Sequence, residues 1–490
     1  MTTIVQEHHV LSFEPIQAAG QTPPPVGTKT YNTADVVVMS DADVPETYSN
    51  GSQTPSRASS ASSLAATTSP LATDASSTST APSTVDGDLS YQDQDEKPSQ
   101  DVPEVPEPPE PTHNALLVTP ERGYALTPDF PTPTAASLAP TEVMIRNKAT
   151  GLNHIDWMSV AYNFCLPALP WVTGREMAGV VEAVGANVAS VQPGDAVWTT
   201  TYYKDRRAGC FQDLVVVPQH TVFPIPATLD FCTAACLGVA GVTAAMTLWQ
   251  WLNVPMAAQA PLISEGENED TQEDKKEDKK EDKKEDKKED KKEDKKEDKK
   301  EDKQQDKEVL LVWGGSTVTG QFAIQLAAQA GLEVVAVCST ATEALVRSRG
   351  ATHVVTYTGK TDMHVIGEIL CCAGGRLTRA IDLVGAKTAK LVLQVIAASG
   401  RGTVDFAPLA FMSSKDAVPA NARVHTVEIK QFVLNEASGI YGRRLNELVA
   451  SGAVQLPAVR VLTGGLTAVE QGLAMVKEGN LDGKKLVVAF

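Results

Sequence analysis

The sequence predicts an α/β protein in two parts, a β-rich, barrel-like unit and a doubly wound parallel sheet, accompanied by two stretches with no fold of their own. Three observations predict it. Residues 113–230 read as short strands divided by turns, and from 309 onward apolar strands alternate with helices. Two further segments have compositions that cannot supply a core.

Residues 1–112 come first. They are rich in Ser, Thr, Pro and Asp, as in SRASSASSLAATTSPLATDASSTSTAPSTV, and hold too few apolar groups to offset the entropy of ordering the backbone. Disorder is expected there, with VPEVPEPPEP at 102–111 as an extended spacer. The segment carries −13 of the formal net charge of −18, so the remainder holds about −5. No basic face is present for a phosphate backbone, which excludes nucleic acid as a partner. The N-terminus has no basic stretch followed by an apolar run, and its acidity argues against a transit peptide. The seven cysteines are odd in number and form no Cys-x-x-Cys pair, so reduced thiols in a cytoplasmic protein are expected.

Within 113–230, Val143–Arg146 and Gly179–Val184 read as strands, Pro193-Gly194-Asp195 as a turn, and Asp213–Val217 as a strand running into Pro218. Ala234–Leu252 is apolar enough to be mistaken for a membrane span. Its richness in Gly, Ala and Thr fits a buried helix better, and no membrane partner is expected. The second segment without a fold follows, at 258–307. EDKK repeats from Glu273 to Lys300 and stacks like charges at i,i+4, which weakens any helix.

Val309–Trp313 is fully apolar, as a parallel strand buried on both faces requires. Strands at Val334–Cys338, Val354–Tyr357 and Ala380–Val384 follow, with others near Thr403 and Val427. Helices are expected near Thr342–Ser348 and at Lys387–Ala397. The chain closes on a short β tail, KKLVVAF.

The loop Gly314-Gly315-Ser316-Thr317-Val318-Thr319-Gly320 joins the first of these strands to a helix. Backbone N–H groups at a helix start favour anionic ligands, and glycines let a pyrophosphate approach. The spacing is G-x-x-x-x-G, and Gln321-Phe322 stand where a P-loop needs Lys and Ser or Thr. The loop therefore reads as a dinucleotide site or as a plain strand-to-helix turn. The next strand ends Val337-Cys338-Ser339-Thr340 without the carboxylate that binds a ribose 2′-hydroxyl, which favours NADP(H), with Arg347 or Arg349 as aids to a 2′-phosphate.

Several pieces then converge on one family. GLNHIDW (151–157), GREMAGVVEAVG (174–185), GDAVW (194–198), AGCFQDLVVVP (208–218), ACLGVAGVTAA (235–245), WGGSTVTGQFAIQLA (313–327), RGATHVVTY (349–357) and VRVLTGGLTAVEQGL (459–473) occur in one order. From Asn114 to Phe490 the chain resembles the medium-chain dehydrogenase/reductase superfamily, in its quinone-oxidoreductase and fungal trans-enoyl-reductase branches. The resemblance implies a GroES-like catalytic domain (113–238 and 441–490) and a Rossmann-like cofactor domain (239–440), with the active site between them. Zinc-dependent relatives carry a ligand cysteine at the position of Asn153 and a ligand histidine at that of Arg175, so the chain is expected to be zinc-free.

The resemblance implies NADP(H) as cofactor and a small enone, quinone or enoyl thioester as substrate. It admits a homodimer and, for a carrier-bound substrate, a polyketide synthase as partners. The alternative is a member that binds NADP(H) without turnover. Asn153 is the expected catalytic residue beside the nicotinamide, or else a buried amide that organises its loop. Tyr203, next to Tyr202, would offer a phenol. Thr243 would line the nicotinamide pocket, and Ser339 and Tyr357 would flank the adenosine ribose. Val384 and Gly385 complete the cofactor set. Thr342 stands where relatives carry a base, and Asp156 is expected to brace its loop.

Overall fold

The computed structural model describes residues 111–256, 307–400, 402–479 and 481–490. The expected disorder of 1–112 and 258–307 lies outside the described residues, apart from positions 111, 112 and 307.

The first part of the chain supplies β1 (Thr112–Val118), β2 (Tyr124–Pro131), β3 (Glu142–Gly151), β4 (Trp171–Val172), β5 (Glu176–Val184), β6 (Ala196–Thr200), β7 (Leu214–Pro218) and β8 (Val222–Pro224). β2, β1 and β4 form a small antiparallel sheet. A larger sheet runs β3-β5-β6-β8, with β7 also on β3. It is extended by two strands from the end of the sequence, β15 (Val459–Thr463) and β16 (Lys485–Ala489). β16 pairs antiparallel with β3, placing Val487 opposite Gly151. Side chains alternate across these strands as the pleat requires. Val143 and Ile145 join Val181, Val197, Val215 and Val217 in one core, while Met144 faces Leu214 and Val216 in another.

The second part is a six-stranded parallel sheet of β9 (Val309–Trp313), β10 (Glu333–Cys338), β11 (His353–Thr356), β12 (Leu377–Asp382), β13 (Val404–Pro408) and β14 (Ala422–Val424). The spatial order is β11-β10-β9-β12-β13-β14. The chain winds outward from β9 to one side, then returns to β12 and winds to the other, so a topological switch point lies beside β9. The apolar run of β9 is explained by this position. Leu310 and Val312 pack with Phe322 and Ile324 on one face, and Val309, Leu311 and Trp313 pack with Val365, Ile369 and Val392 on the other.

The apolar helix spans Phe231–Trp251 and is largely buried within the protein. Leu237, Val242, Met246 and Leu248 pack against Phe322, Phe432 and Leu445. Its wide π-type turns, at Leu237–Gly241 and Thr247–Trp251, shift the hydrogen-bond register.

Three expected boundaries move. The strand placed near Val427 is β14, three residues earlier, and Val427 is in a loop. β11 ends at Thr356, so Tyr357 follows the strand, and β12 ends at Asp382, which puts Val384 and Gly385 in the succeeding loop. Tyr357 and Val384 are exposed loop residues, so the apolar runs there overstate strand length.

Candidate active site

The glycine loop leaves β9 at the switch point. Gly314 adopts φ +92°, open to glycine but strained for other residues, and its N–H and that of Gly315 donate to the Val337 carbonyl on β10. Gly320 sits so close to the loop that an added Cβ would lie 2.4 Å from the Gly314 carbonyl oxygen. Thr317 caps the helix Val318–Gln329, its Oγ1 accepting from the Gly320 N–H at 3.0 Å and donating to the Gly314 carbonyl at 2.8 Å. The N–H groups of Val318 and Thr319 precede the first main-chain helical bond, from Gln321 to Thr317. A twelve-residue helix thus presents its positive end at the carboxyl edge of a parallel sheet, with a cradle that side chains would fill. These features fit a dinucleotide pyrophosphate.

The other expected cofactor residues gather along the same edge. Ser339 follows β10, and its Oγ lies 3.0 Å from Thr342 Oγ1. Tyr357 follows β11 and donates its N–H to the Cys338 carbonyl. Val384 lies against the Gly314 backbone. Gly385, at φ +150°, is held by its N–H donating to Asp382 Oδ1 at 3.0 Å. Burial pushes the Asp382 carboxyl up to about 6, and its second oxygen is buried with no hydrogen-bond partner among the described residues. The arginines lie elsewhere. Arg347 pairs with Glu343, and Arg349 donates to Gln321, Gln455 and the Leu456 carbonyl. Neither supports the expected aid to a 2′-phosphate, because each guanidinium already has acceptors.

Asn153 opens the helix His154–Tyr162. Its Nδ2 donates to Glu176 Oε1 at 2.8 Å, and its Oδ1 accepts from Lys485 Nζ at 2.6 Å. Lys485 and Glu176 also form an ion pair, with side chains 4% and 0% exposed. The second Glu176 oxygen accepts from the Val239 N–H at 2.6 Å, inside the first π-type turn. Gly151 makes room for the carboxylate and Gly238 for the base of the same side chain, since an added Cβ would stand 2.5 Å from Glu176 Oε1 and 2.6 Å from Glu176 Cβ, respectively. Glu176 therefore joins the Asn153 loop, the apolar helix and the final strand. Thr243, half-buried, lies one helical turn beyond Val239.

A second buried network adjoins the first. Asp156 accepts from the Asn153 N–H at 2.9 Å, closing a capping box, which is the bracing expected of it. Burial pushes its carboxyl up to about 7 against the opposing pull of Arg175. The buried Arg175 guanidinium stacks over the Tyr203 ring at 4.7 Å and the Tyr202 ring at 5.4 Å. Tyr203 is fully buried and donates its hydroxyl to Ser159 Oγ at 2.7 Å. The structure thus links Tyr203 to Arg175 and Ser159, away from open solvent, whereas Tyr202 is half-buried.

Comparison with known proteins bears on both halves. Residues 139–227 match the alcohol dehydrogenase GroES-like domain, and residues 319–429 match the zinc-binding dehydrogenase family. In both halves the chain resembles the medium-chain dehydrogenase/reductase superfamily. Among its superfamily relatives, a dehydrogenase from Aspergillus niger is 28% identical over 393 residues, covering 77% of this chain and 99% of that one. A trans-enoyl reductase from Talaromyces variabilis is 25% identical over 380 residues, covering 71% and 89%. The fold is shared with the quinone oxidoreductase of Coxiella burnetii (TM-score 0.54, 21% identity, covering 78% and 100%) and with the CurK enoyl reductase (TM-score 0.56, 17% identity, covering 77% and 99%). This likeness implies a nicotinamide cofactor for the parallel-sheet half and oxidoreductase chemistry.

Sequence reasoning missed Glu176, Lys485 and Asp382. The first two left a signal: each is a charge opening an apolar run at the start of a strand, EMAGVV and KLVVA. A charge at such a position needs a partner, and the two are each other's. Asp382 left none beyond an acid at the end of a parallel strand.

Proposed function

We propose that the protein is a zinc-independent, NADP(H)-dependent reductase acting on an activated C=C bond, in an enone or enoyl thioester, or on a quinone. The observation that carries this reading is the side-chain set around Asn153. An amide, a carboxylate and an ammonium are hydrogen-bonded to one another, with a guanidinium on the adjacent residue. A catalytic zinc requires about three protein ligands. Two fixed cations, Lys485 and Arg175, oppose a third, and the Asn153 amide is already engaged. The donor set does not fit zinc.

Alcohol oxidation gains most from a Lewis acid, whereas reduction of a polarised alkene needs a hydride, a hydrogen-bond donor for the developing enolate oxygen, and a proton. Reduced nicotinamide, when bound, supplies the hydride. The glycine loop and the helix start at Val318 hold the pyrophosphate, while Ser339 and Tyr357 flank the adenosine ribose. Thr243, Val384 and Gly385 line the remaining cofactor path. Asn153 donates toward the acceptor carbonyl. Tyr203, buried against Ser159, supports Arg175 and is not the proton donor.

The trans-enoyl reductases among the relatives favour an enoyl thioester, and with it a carrier-bound substrate from a polyketide synthase. The test is NADPH oxidation against small enones, quinones and enoyl thioesters, with and without a chelator. Turnover of one class unaffected by chelation is expected. Tight NADPH binding with no turnover of any class would favour the alternative of a binding protein, and chelator-sensitive alcohol oxidation would overturn the reading.

A further inference from the structure

The hydrogen bonds around Asn153 determine more than its location. A lysine ammonium only donates and a carboxylate only accepts, whereas an asparagine amide has one end of each kind. With Lys485 on one side and Glu176 on the other, a single flip of the amide satisfies both. The reverse would set Nδ2 against the ammonium and Oδ1 against the carboxylate.

Lys485 is fixed in turn by its strand. Its N–H donates to the Ala458 carbonyl at 2.9 Å, and the pleat turns it inward while Lys484 faces solvent. One Nδ2 hydrogen is given to Glu176 at 2.8 Å. The other, among the described residues, meets only the Gly151 carbonyl, at 3.4 Å, and remains loosely held.

We propose that Lys485 is a positioning residue which, with Glu176 as the opposite jaw, locks the Asn153 amide so that one loosely held N–H is kept for the acceptor carbonyl. This rests on the reductase reading for the identity of that carbonyl, but the locked amide does not. A purely structural ion pair would need only Glu176 and Lys485, since apolar replacements of such pairs are often as stable. The two bonds to Asn153 are additional and oriented.

The test is a double-mutant cycle with a spectroscopic arm, in the full-length chain. Asn153→Ala and Lys485→Met should each lower kcat on the order of 100- to 1,000-fold, the range seen when one oriented donor is lost. NADPH affinity and KM should change far less. The combined variant should be about as slow as Asn153→Ala alone, because residues acting as a unit are not additive. Losses that multiply would overturn the proposal.

Should Lys485→Met fail to fold with Glu176 left unpaired, Lys485→Met/Glu176→Gln removes both charges and is read in the same way. In cofactor-free protein labelled with ¹⁵N-asparagine, the Asn153 side-chain pair, assigned by its loss in Asn153→Ala, should show slow exchange of the hydrogen given to Glu176 and faster exchange of the loosely held one. That protection should disappear in the lysine variants. An Asn153 amide that exchanges equally fast in wild type and variants would sink the locked-amide claim. A wild-type protein that reduces no acceptor, but keeps the protected amide, would instead overturn the reductase reading alone.

Discussion

At the scale of single residues, the proposed preference for NADP(H) rests on Ser339. The strand end offers the Ser339 and Thr342 hydroxyls, with both nearby arginines engaged elsewhere. Wild type should therefore prefer NADPH, but modestly. Ser339→Asp should move the preference toward NADH by about 1–3 kcal/mol, because a carboxylate accepts from the ribose 2′-hydroxyl and repels a 2′-phosphate. Fluorescence titration of both cofactors checks this; equal wild-type affinities unmoved by the substitution would refute it. Asp156 sets a pH dependence. Its folded-state carboxyl titrates near 7 against an ordinary 3.8, so the unfolded chain ionises first. Stability from this group is complete below about pH 4 and is lost as pH rises toward 7. Asp156→Asn keeps an oxygen for the Asn153 N–H but cannot ionise. Its stability relative to wild type should climb across that window, by roughly 2–4 kcal/mol at most, and level off above it. Urea midpoints at intervals from acid to mildly alkaline pH would show the trend, and a constant difference would count against it.

Among elements, the turn from β9 into the helix Val318–Gln329 is the most demanding. Gly320→Ala would force a methyl against the Gly314 carbonyl. The expected outcome is a loss of NADPH affinity on the order of 100-fold, with an unfolding penalty of about 1–3 kcal/mol, as for overpacking elsewhere. Calorimetric binding and thermal melts would separate the two effects, and full affinity in a folded variant would show that the loop does not meet the pyrophosphate. This element was also the most legible in the sequence. An apolar five-residue strand, a glycine-rich loop and a helix are local patterns, each written in consecutive residues. The apolar helix 231–251 was legible for the same reason. The Asn153 site was only half legible. Asn153 sits in a recognisable motif, but its orientation depends on Glu176 and Lys485, 23 and 332 positions away. Tyr203 shows the converse: a phenol in sequence proximity to a site motif is fully buried, with Arg175 stacked on its ring and Ser159 accepting its hydrogen bond.

For the whole molecule, the donor set predicts that purified protein carries well under one zinc per chain and that its activity survives chelators; elemental analysis decides it, and stoichiometric zinc lost together with activity would contradict the donor-set argument. The EDKK-bearing segment enters between Met256 and Lys307, whose flanks are anchored: Val254 donates to the Leu248 carbonyl and the Lys307 carbonyl accepts from Arg376. Replacing 258–307 with a short Gly/Ser linker should leave the melting temperature and NADPH affinity nearly unchanged, since loop-closure entropy varies slowly with length. A large drop in either would show that the segment packs on the core. The pairing of β3 with β16 has a kinetic consequence. The parallel sheet is assembled from neighbouring βα units, but the larger antiparallel sheet is completed only when strands more than 300 residues apart in sequence find one another. Contacts that distant form slowly. On dilution from denaturant, NADPH binding should return before enzymatic turnover, and the interval between them would time the arrival of Lys485 beside Asn153.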